Sequence, residues 1–206
     1  MADTSTGNAT ILSRRRSPAA DLTDEMAAGS SPELSLREVP FLAQIGLRAA
    51  PGSDSARALE GVLGLALPAA SGEITGSGDR HVLWLGPDEF LLIAPDEADG
   101  GPVPQALADE LAAALEGLPG QVVDLSANRT TLELRGASAQ HVLDKSCRLD
   151  LHPRAFAIGT AKVALLETTS VILWRIEDEA WRILPRASFS PHVGRWLLDG
   201  MREFVS

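Results

Sequence analysis

Four histidines, one cysteine and a serine set among an acid, an amide and an arginine are the side chains here best suited to chemistry. His81, His141, His152 and His192 could move protons or bind a metal. No two of them stand four residues apart, the spacing that puts two ligands on one helix face in an H-E-x-x-H site. His81 opens a predicted strand, His152 precedes Pro153 in a loop and His192 lies at a helix start, so surface and capping roles are expected. Cys147 ends a predicted helix. A thiolate nucleophile needs a base within reach; the sequence supplies none, and a buried structural thiol is the expectation. Ser126 sits in Asp124-Leu-Ser126-Ala-Asn128-Arg129, but no G-x-S-x-G elbow surrounds it. It reads as part of a polar connector whose side chains satisfy nearby backbone groups. Gly72, Gly76 and Gly78 form a flexible stretch rather than a dinucleotide-binding G-x-G-x-x-G turn. The acidic pairs Asp88-Glu89 and Asp178-Glu179 fall in predicted hairpin turns, where solvent surrounds them. No catalytic residue, cofactor-binding residue or metal ligand is assigned.

Composition narrows the function further. The formal net charge of −10 argues against a nucleic-acid binder, because phosphate contacts rest on clustered Lys and Arg. Lysine occurs only at 145 and 162, so most positive charge is on arginine. One cysteine excludes an intrachain disulfide and a paired-cysteine zinc site. No apolar run is long enough to span a bilayer. Arg14-Arg15-Arg16 could open a signal peptide, but Ser17-Pro18-Ala-Ala-Asp21 follows where an apolar stretch belongs, so the cytoplasm is expected.

The elements that must position these groups begin late. Residues 1–35 are rich in Ala, Ser, Thr, Asp and Gly without sustained periodicity, and are expected to form a flexible arm that orders only on a partner. Arg14, Arg15 and Arg16 would pin that arm to an acidic partner surface. From Leu36 strands and helices alternate. Strands are predicted at 43–49, 81–85, 89–94 and 121–125, with helices at 54–62 and 103–118. A second series has strands at 130–135, 161–168, 171–176 and 180–184, a helix at 138–147 and a final helix capped by Ser188 or Ser190. This is α+β, with each half close to β-α-β-β-α-β: a first unit at 36–126 and a second at 127–206.

The halves resemble one another in sequence. Trp84 to Pro95 matches Trp174 to Pro185 without a gap, sharing Trp, Asp, Glu, Ile and Pro. Ile45-Gly-Leu47-Arg48 matches Leu132-Glu-Leu134-Arg135, and Leu65-Ala-Leu67-Pro68 matches Leu149-Asp-Leu151-His-Pro153. Three matches in one order suggest an internal duplication, with Trp84 and Trp174 as equivalent, buried strand residues. Trp181 and Trp196 have no partner in that register. An exposed tryptophan would instead mark an interface, where Trp and Arg are enriched.

Several of these strings also resemble a known family. Val82-Leu-Trp84-Leu-Gly-Pro-Asp-Glu-Phe, Val123-Asp-Leu-Ser-Ala-Asn-Arg-Thr, Cys147-Arg-Leu-Asp-Leu-His-Pro-Arg-Ala-Phe, Ile172-Leu-Trp174-Arg and Arg16-Ser-Pro are similar to those of the gamma subunit of heterotetrameric sarcosine oxidase. The late Arg186-Ala-Ser188-Phe189 departs from the family's uninterrupted Arg-Ser-Phe by one alanine. The resemblance implies a fold like the folate-binding aminomethyltransferases. It also implies partners, the alpha, beta and delta subunits, which hold FAD, FMN, NAD and zinc and demethylate sarcosine oxidatively with tetrahydrofolate as one-carbon acceptor. In that setting this chain acts in assembly and stability and binds no cofactor itself. Two other readings stay open: a free-standing folate-dependent aminomethyltransferase, with Asp124 as its acid, and an isolated folate-binding regulator.

Overall fold

A computed structural model describes residue 12 and residues 14–205. In chain order the elements are α1 (Thr23–Ala28), β1 (Leu34–Val39), β2 (Ala43–Arg48), α2 (Asp54–Leu63), β3 (Ile74–Ser77), β4 (Arg80–Gly86), β5 (Glu89–Ala94), α3 (Pro104–Leu115) and β6 (Gln121–Asp124). They continue as β7 (Thr131–Gly136), α4 (Ala139–Asp144), β8 (Ala161–Leu166), β9 (Thr169–Glu177), β10 (Ala180–Pro185) and α5 (Ser190–Met201). Local chemistry sets several ends. The Ser53 hydroxyl accepts the Ala56 amide at 3.1 Å to start α2, and Gly64 closes it with φ of 65°. Pro104 fits the first turn of α3, where its missing N–H costs nothing.

The strands build two five-stranded antiparallel sheets, ordered β3-β4-β5-β2-β6 and β8-β9-β10-β7-β1. Side-chain alternation gives each sheet two apolar faces. In β5, Phe90 and Leu92 pack with Leu59 of α2 and Leu111 of α3. Their neighbours Leu91 and Ile93 instead meet Ile172, Trp174 and Leu184 of the other sheet. In β10, Trp181 and Ile183 pack with Val142 of α4 and Val193 of α5. The result is four layers, helix-sheet-sheet-helix, with an apolar core in each gap.

The same order of elements recurs in the two sheets, and the strand registers align them. Leu47 lies opposite Phe90, and Leu134 opposite Trp181; Ile45 lies opposite Leu92, and Leu132 opposite Ile183. This keeps the Ile45–Arg48 match in step with Leu132–Arg135. The tryptophan match is not in step. Trp84 lies opposite Phe90, whereas it is Arg175 that lies opposite Trp181, and Trp174 lies opposite Arg182. By register Trp84 corresponds to Arg175, Trp174 to Leu83, and Phe90 to Trp181. A one-residue slip turns every side chain to the other face. Accordingly Trp84 is half-buried on the helix side, and Trp174 is buried between the sheets. Of the pair expected to be buried, only Trp174 is. The gapless match fails because identical turn letters outweighed the alternation of the strands beside them.

Two short strands escaped the sequence reading. β3 occupies the glycine-rich stretch read as flexible, which makes the first half β-α-β-β-β-α-β rather than the simpler β-α-β-β-α-β. β1 falls across the expected boundary at residue 35. It pairs with β7 and takes the edge of the second sheet that β6 takes in the first. The segment before it is not an arm in this structure: Ala19, Leu22 and Met26 are buried with Leu132, Leu134 and Val193. Composition hid this because the segment lends a few apolar side chains to a core that other residues build. The part of the arm at residues 1–11 and 13 lies outside the described residues.

Candidate functional site

The candidate side chains are dispersed, and most are committed to the fold. His81, at the start of β4, stacks edge-on against Trp174 with centroids 5.0 Å apart. Burial, then the positive charge of Arg182, lowers its pKa, with Asp79 opposing. His152 accepts the Arg154 amide at Nδ1, 3.2 Å away, in a turn. His141 tilts against Phe204, and His192 approaches Glu167 at 3.4 Å on the surface. Cys147 is half-buried, its backbone bridged to Leu166. Burial raises its thiol pKa, which the Asp144 charge reinforces and a bond from the Leu149 backbone opposes. A raised pKa keeps the sulfur protonated and poorly nucleophilic. Among the described residues no three His, Cys, Asp or Glu side chains converge to hold a metal, so the donor set a zinc needs is not assembled there.

Ser126 and Asp124 do meet, but for local reasons. Asp124 Oδ1 accepts from the Ser126 amide at 2.9 Å and its hydroxyl at 2.6 Å, while the Ser126 oxygen accepts the Gln44 amide at 3.0 Å. The group locks the connector between β6 and β7 onto β2. Carboxylates at the two hairpins meet three arginines by different routes. Arg48 bonds Asp88 and Glu89 at 3.3 and 2.9 Å, and Arg135 bonds Glu177 at 2.6 and 2.9 Å. Asp178 receives the buried Arg175 at 2.7 Å.

The arginine cluster divides three ways. Arg15 makes two bonds to Asp96, at 2.9 and 2.8 Å, and lies over Phe41 at 4.3 Å. Arg16 pairs with Asp21, and Arg14 is exposed. Arg15 and Arg16 line a cleft with Phe41, Pro104, Ser126 and Arg129. On the same connector, β7's approach and β10's exit run side by side. Arg129 and Arg186 form an isolated antiparallel bridge, and the Ala187 amide donates to the Asn128 carbonyl at 2.9 Å. The guanidinium of Arg129 is partly desolvated, and this, with the nearby Arg186 charge, lowers its pKa.

Sequence reasoning missed the ion group on the inner face of the second sheet. Glu133 is buried, and accepts from Arg37 at 2.7 Å and Arg182 at 3.3 Å. An acid alternating with leucines in Leu132-Glu133-Leu134 is the one signal of a strand whose second face is also covered. Its counterpart by register is Gly46, whose absent side chain leaves room for Leu125.

Comparison with known proteins follows the same lines. A family model described as "Sarcosine oxidase, gamma subunit family" matches residues 48–203. The chain is 50% identical over 196 residues to a sarcosine oxidase subunit gamma of Arthrobacter sp., covering 94% of this chain and 93% of that one. It is 51% identical over 194 residues to the one of Corynebacterium sp. (strain P-1), covering 93% and 92%. Among solved structures it superposes with TM-score 0.86 and 50% identity on a chain of the heterotetrameric sarcosine oxidase from Corynebacterium sp. U-96 in complex with pyrrole 2-carboxylate, covering 93% and 97%. An aminomethyltransferase T of the glycine cleavage system from Bartonella henselae matches with TM-score 0.59 at 16% identity, covering 84% of this chain and 48% of that one, a likeness of fold alone.

Proposed function

The chain belongs to the sarcosine oxidase gamma subunit family, and from that membership we propose that it is the gamma subunit of a heterotetrameric sarcosine oxidase, acting in assembly and stability rather than in chemistry. The observation that carries this reading is the match at 50% identity across 93% of the chain to a chain of such a heterotetramer. The internal duties of Ser126, Asp124, Asp88, Glu89 and Asp178 support it, since each is bonded within the fold. In this reading the partners are alpha, beta and delta subunits, which hold FAD, FMN, NAD and zinc, convert sarcosine to glycine and pass the one-carbon unit to tetrahydrofolate. The complex works in the cytoplasm; no helix among the described residues is long and apolar enough to cross a membrane.

Two finer readings belong with it. The two halves are copies of one ancestral unit, supported by the shared order of elements and by the pairing of Phe90 with Trp181 and Ile45 with Leu132. The first unit is then residues 40–126, and the second is residues 127–206 completed by β1 and the segment leading into it. The arginine cluster serves as a partner contact through Arg14 and Arg16, Arg15 being held internally by Asp96.

Co-expression with the three other subunits is the test. The chain should co-purify with flavin-absorbing partners in equal stoichiometry, and leaving it out should cut the yield of assembled, active oxidase. A partner set that assembles with full activity and thermal stability in its absence would overturn the reading.

A further inference from the structure

Residues far apart in the chain meet where the connector into β7 crosses the exit from β10, and their arrangement is not one that a fold needs. Asn128 and Arg129 precede β7; Arg186, Ala187, Ser188 and Phe189 follow β10. The bridge between Arg129 and Arg186 sets two guanidinium-bearing residues side by side. Among the described residues neither pairs with a carboxylate. Arg129 reaches only the Leu184 carbonyl at 3.4 Å, and Arg186 only the Asn128 amide oxygen at 3.4 Å, both at the weak end of hydrogen bonding. Beside them Phe189 is 48% exposed, and Arg186 and Ser188 are exposed too. Most arginines that are not fully solvated are paired differently: Arg15, Arg37, Arg48, Arg135, Arg175, Arg182 and Arg195 each hold a carboxylate, whereas the half-buried Arg129 holds none. In a chain with a net charge of −10, carboxylates are abundant, yet neither cation has one in salt-bridge contact among the described residues; Glu89 acts on Arg129 only from further off.

We propose that Asn128, Arg129, Arg186 and Phe189 form a docking face for an acidic segment of a partner subunit, with an Asp or Glu carboxylate seated between the two guanidiniums and an apolar side chain against Phe189. Two like charges held together on one face are relieved by an anion between them. A desolvated guanidinium gains most from it, because charge-assisted bonds strengthen as water leaves. The lowered pKa of Arg129 reports that present cost. The exposed phenyl ring beside the cations supplies what interfaces favour, an aromatic anchor next to arginine. The protein backbone holds the site in place, through the Ala187 amide on the Asn128 carbonyl and the Gln44 side-chain amide on the Arg129 carbonyl at 3.1 Å.

This inference rests on the reading of the chain as a subunit, and the experiment separates the two. Wild-type chain, Arg186→Glu, Arg186→Lys and Phe189→Ala are each combined with the purified remaining subunits of the heterotetramer. Affinity is measured at low and high salt, with the melting temperature of each chain alone. Arg186→Glu is expected to weaken assembly at least tenfold at low salt and to flatten the salt dependence, with Arg186→Lys in between. Phe189→Ala is expected to weaken assembly at both salt levels. The isolated variants should melt with the wild type. Assembly of Arg186→Glu at wild-type affinity and salt dependence would sink the docking face and leave the subunit reading intact. So would a melting-temperature loss in the isolated Arg186→Glu chain that accounts for the weakened assembly. A wild-type chain that does not assemble at all sinks the subunit reading itself.

Discussion

The outer edges of the two sheets hold equivalent strands of opposite origin. In the first sheet, β6 comes from the C-terminal side: it arrives just after α3 and pairs with β2, Gln121 with Arg48 and Asp124 with Ile45. In the second, that place is taken by β1, which comes from the N-terminal side of its partner β7, Leu34 lying opposite Gly136 and Val39 opposite Thr131. The two edges also differ in burial. Leu34 and Leu36 of β1 are buried, with Leu22 and Met26 behind them, whereas Val122 of β6 is half-buried and Val123 is 38% exposed. Both pairings close long loops of similar cost, so the difference between the edges lies in what packs behind them. A side chain at Gly136 would strike the Glu33 carbonyl, and one at Gly194 would strike Leu22 at 2.5 Å.

The largest effect expected from this contrast is at β1. Deleting residues 1–39 strips β7 of its neighbour and opens the second core, and should abolish cooperative thermal unfolding of that half. Leu34→Asp should approach the same result, while Val122→Asp on β6 should leave a cooperative transition, both read by melting curves. Leu22→Ala alone should cost about 2–5 kcal/mol in denaturant titrations.

Register sharpens the comparison next. Phe90 and Trp181 hold the same place in the two sheets and both are fully buried, so either change to alanine should cost about 3–5 kcal/mol. Trp174→Ala should fall near that range. Trp84→Ala, with its ring half-exposed, should cost clearly less. Equal losses at Trp84 and Trp174 would favour the gapless match over the strand register.

Two glycines then compare a crowded helix with an open one. Gly194→Ala in α5 pushes a methyl into Leu22 and should destabilise by about 1–3 kcal/mol. Gly61→Ala in α2 meets nothing within 4 Å and should stabilise by up to about 1 kcal/mol through helix propensity.

The smallest effect is in the gap between the sheets. His81 faces Trp174 and Arg182 with Asp79 nearby, and its folded pKa lies below the ordinary 6.5. The unfolded chain therefore takes up a proton that the folded chain resists. The stability from this group is complete above pH 6.5 and is lost as the pH falls through 6.5 toward the folded value. His81→Gln should flatten the melting temperature between about pH 7 and 5, where the wild type declines.

Much of the local structure was legible in the residues. The alternation in Glu89–Ala94 and Ala180–Pro185, the serine cap before Asp54 and the proline opening Pro104–Leu115 each carry their signal within a few positions. The family resemblance rested on local strings of the same kind. β3 and β1 were illegible because a short edge strand needs only a neighbour with a free edge, not a pattern of its own. The offset between Trp84 and Trp174 was hidden because identity of letters says nothing about which face of a strand they occupy.

By itself, then, the sequence determined the local conformations, the sidedness of its longer strands and its membership of a family, because these depend on neighbours along the chain. Only the tertiary structure decided that the N-terminal segment completes the second sheet, that Glu133 is buried among arginines, and that Arg129 comes to lie beside Arg186. Those outcomes depend on which surfaces are left unpaired once every other element has packed, and that is a property of the whole molecule and of no single stretch.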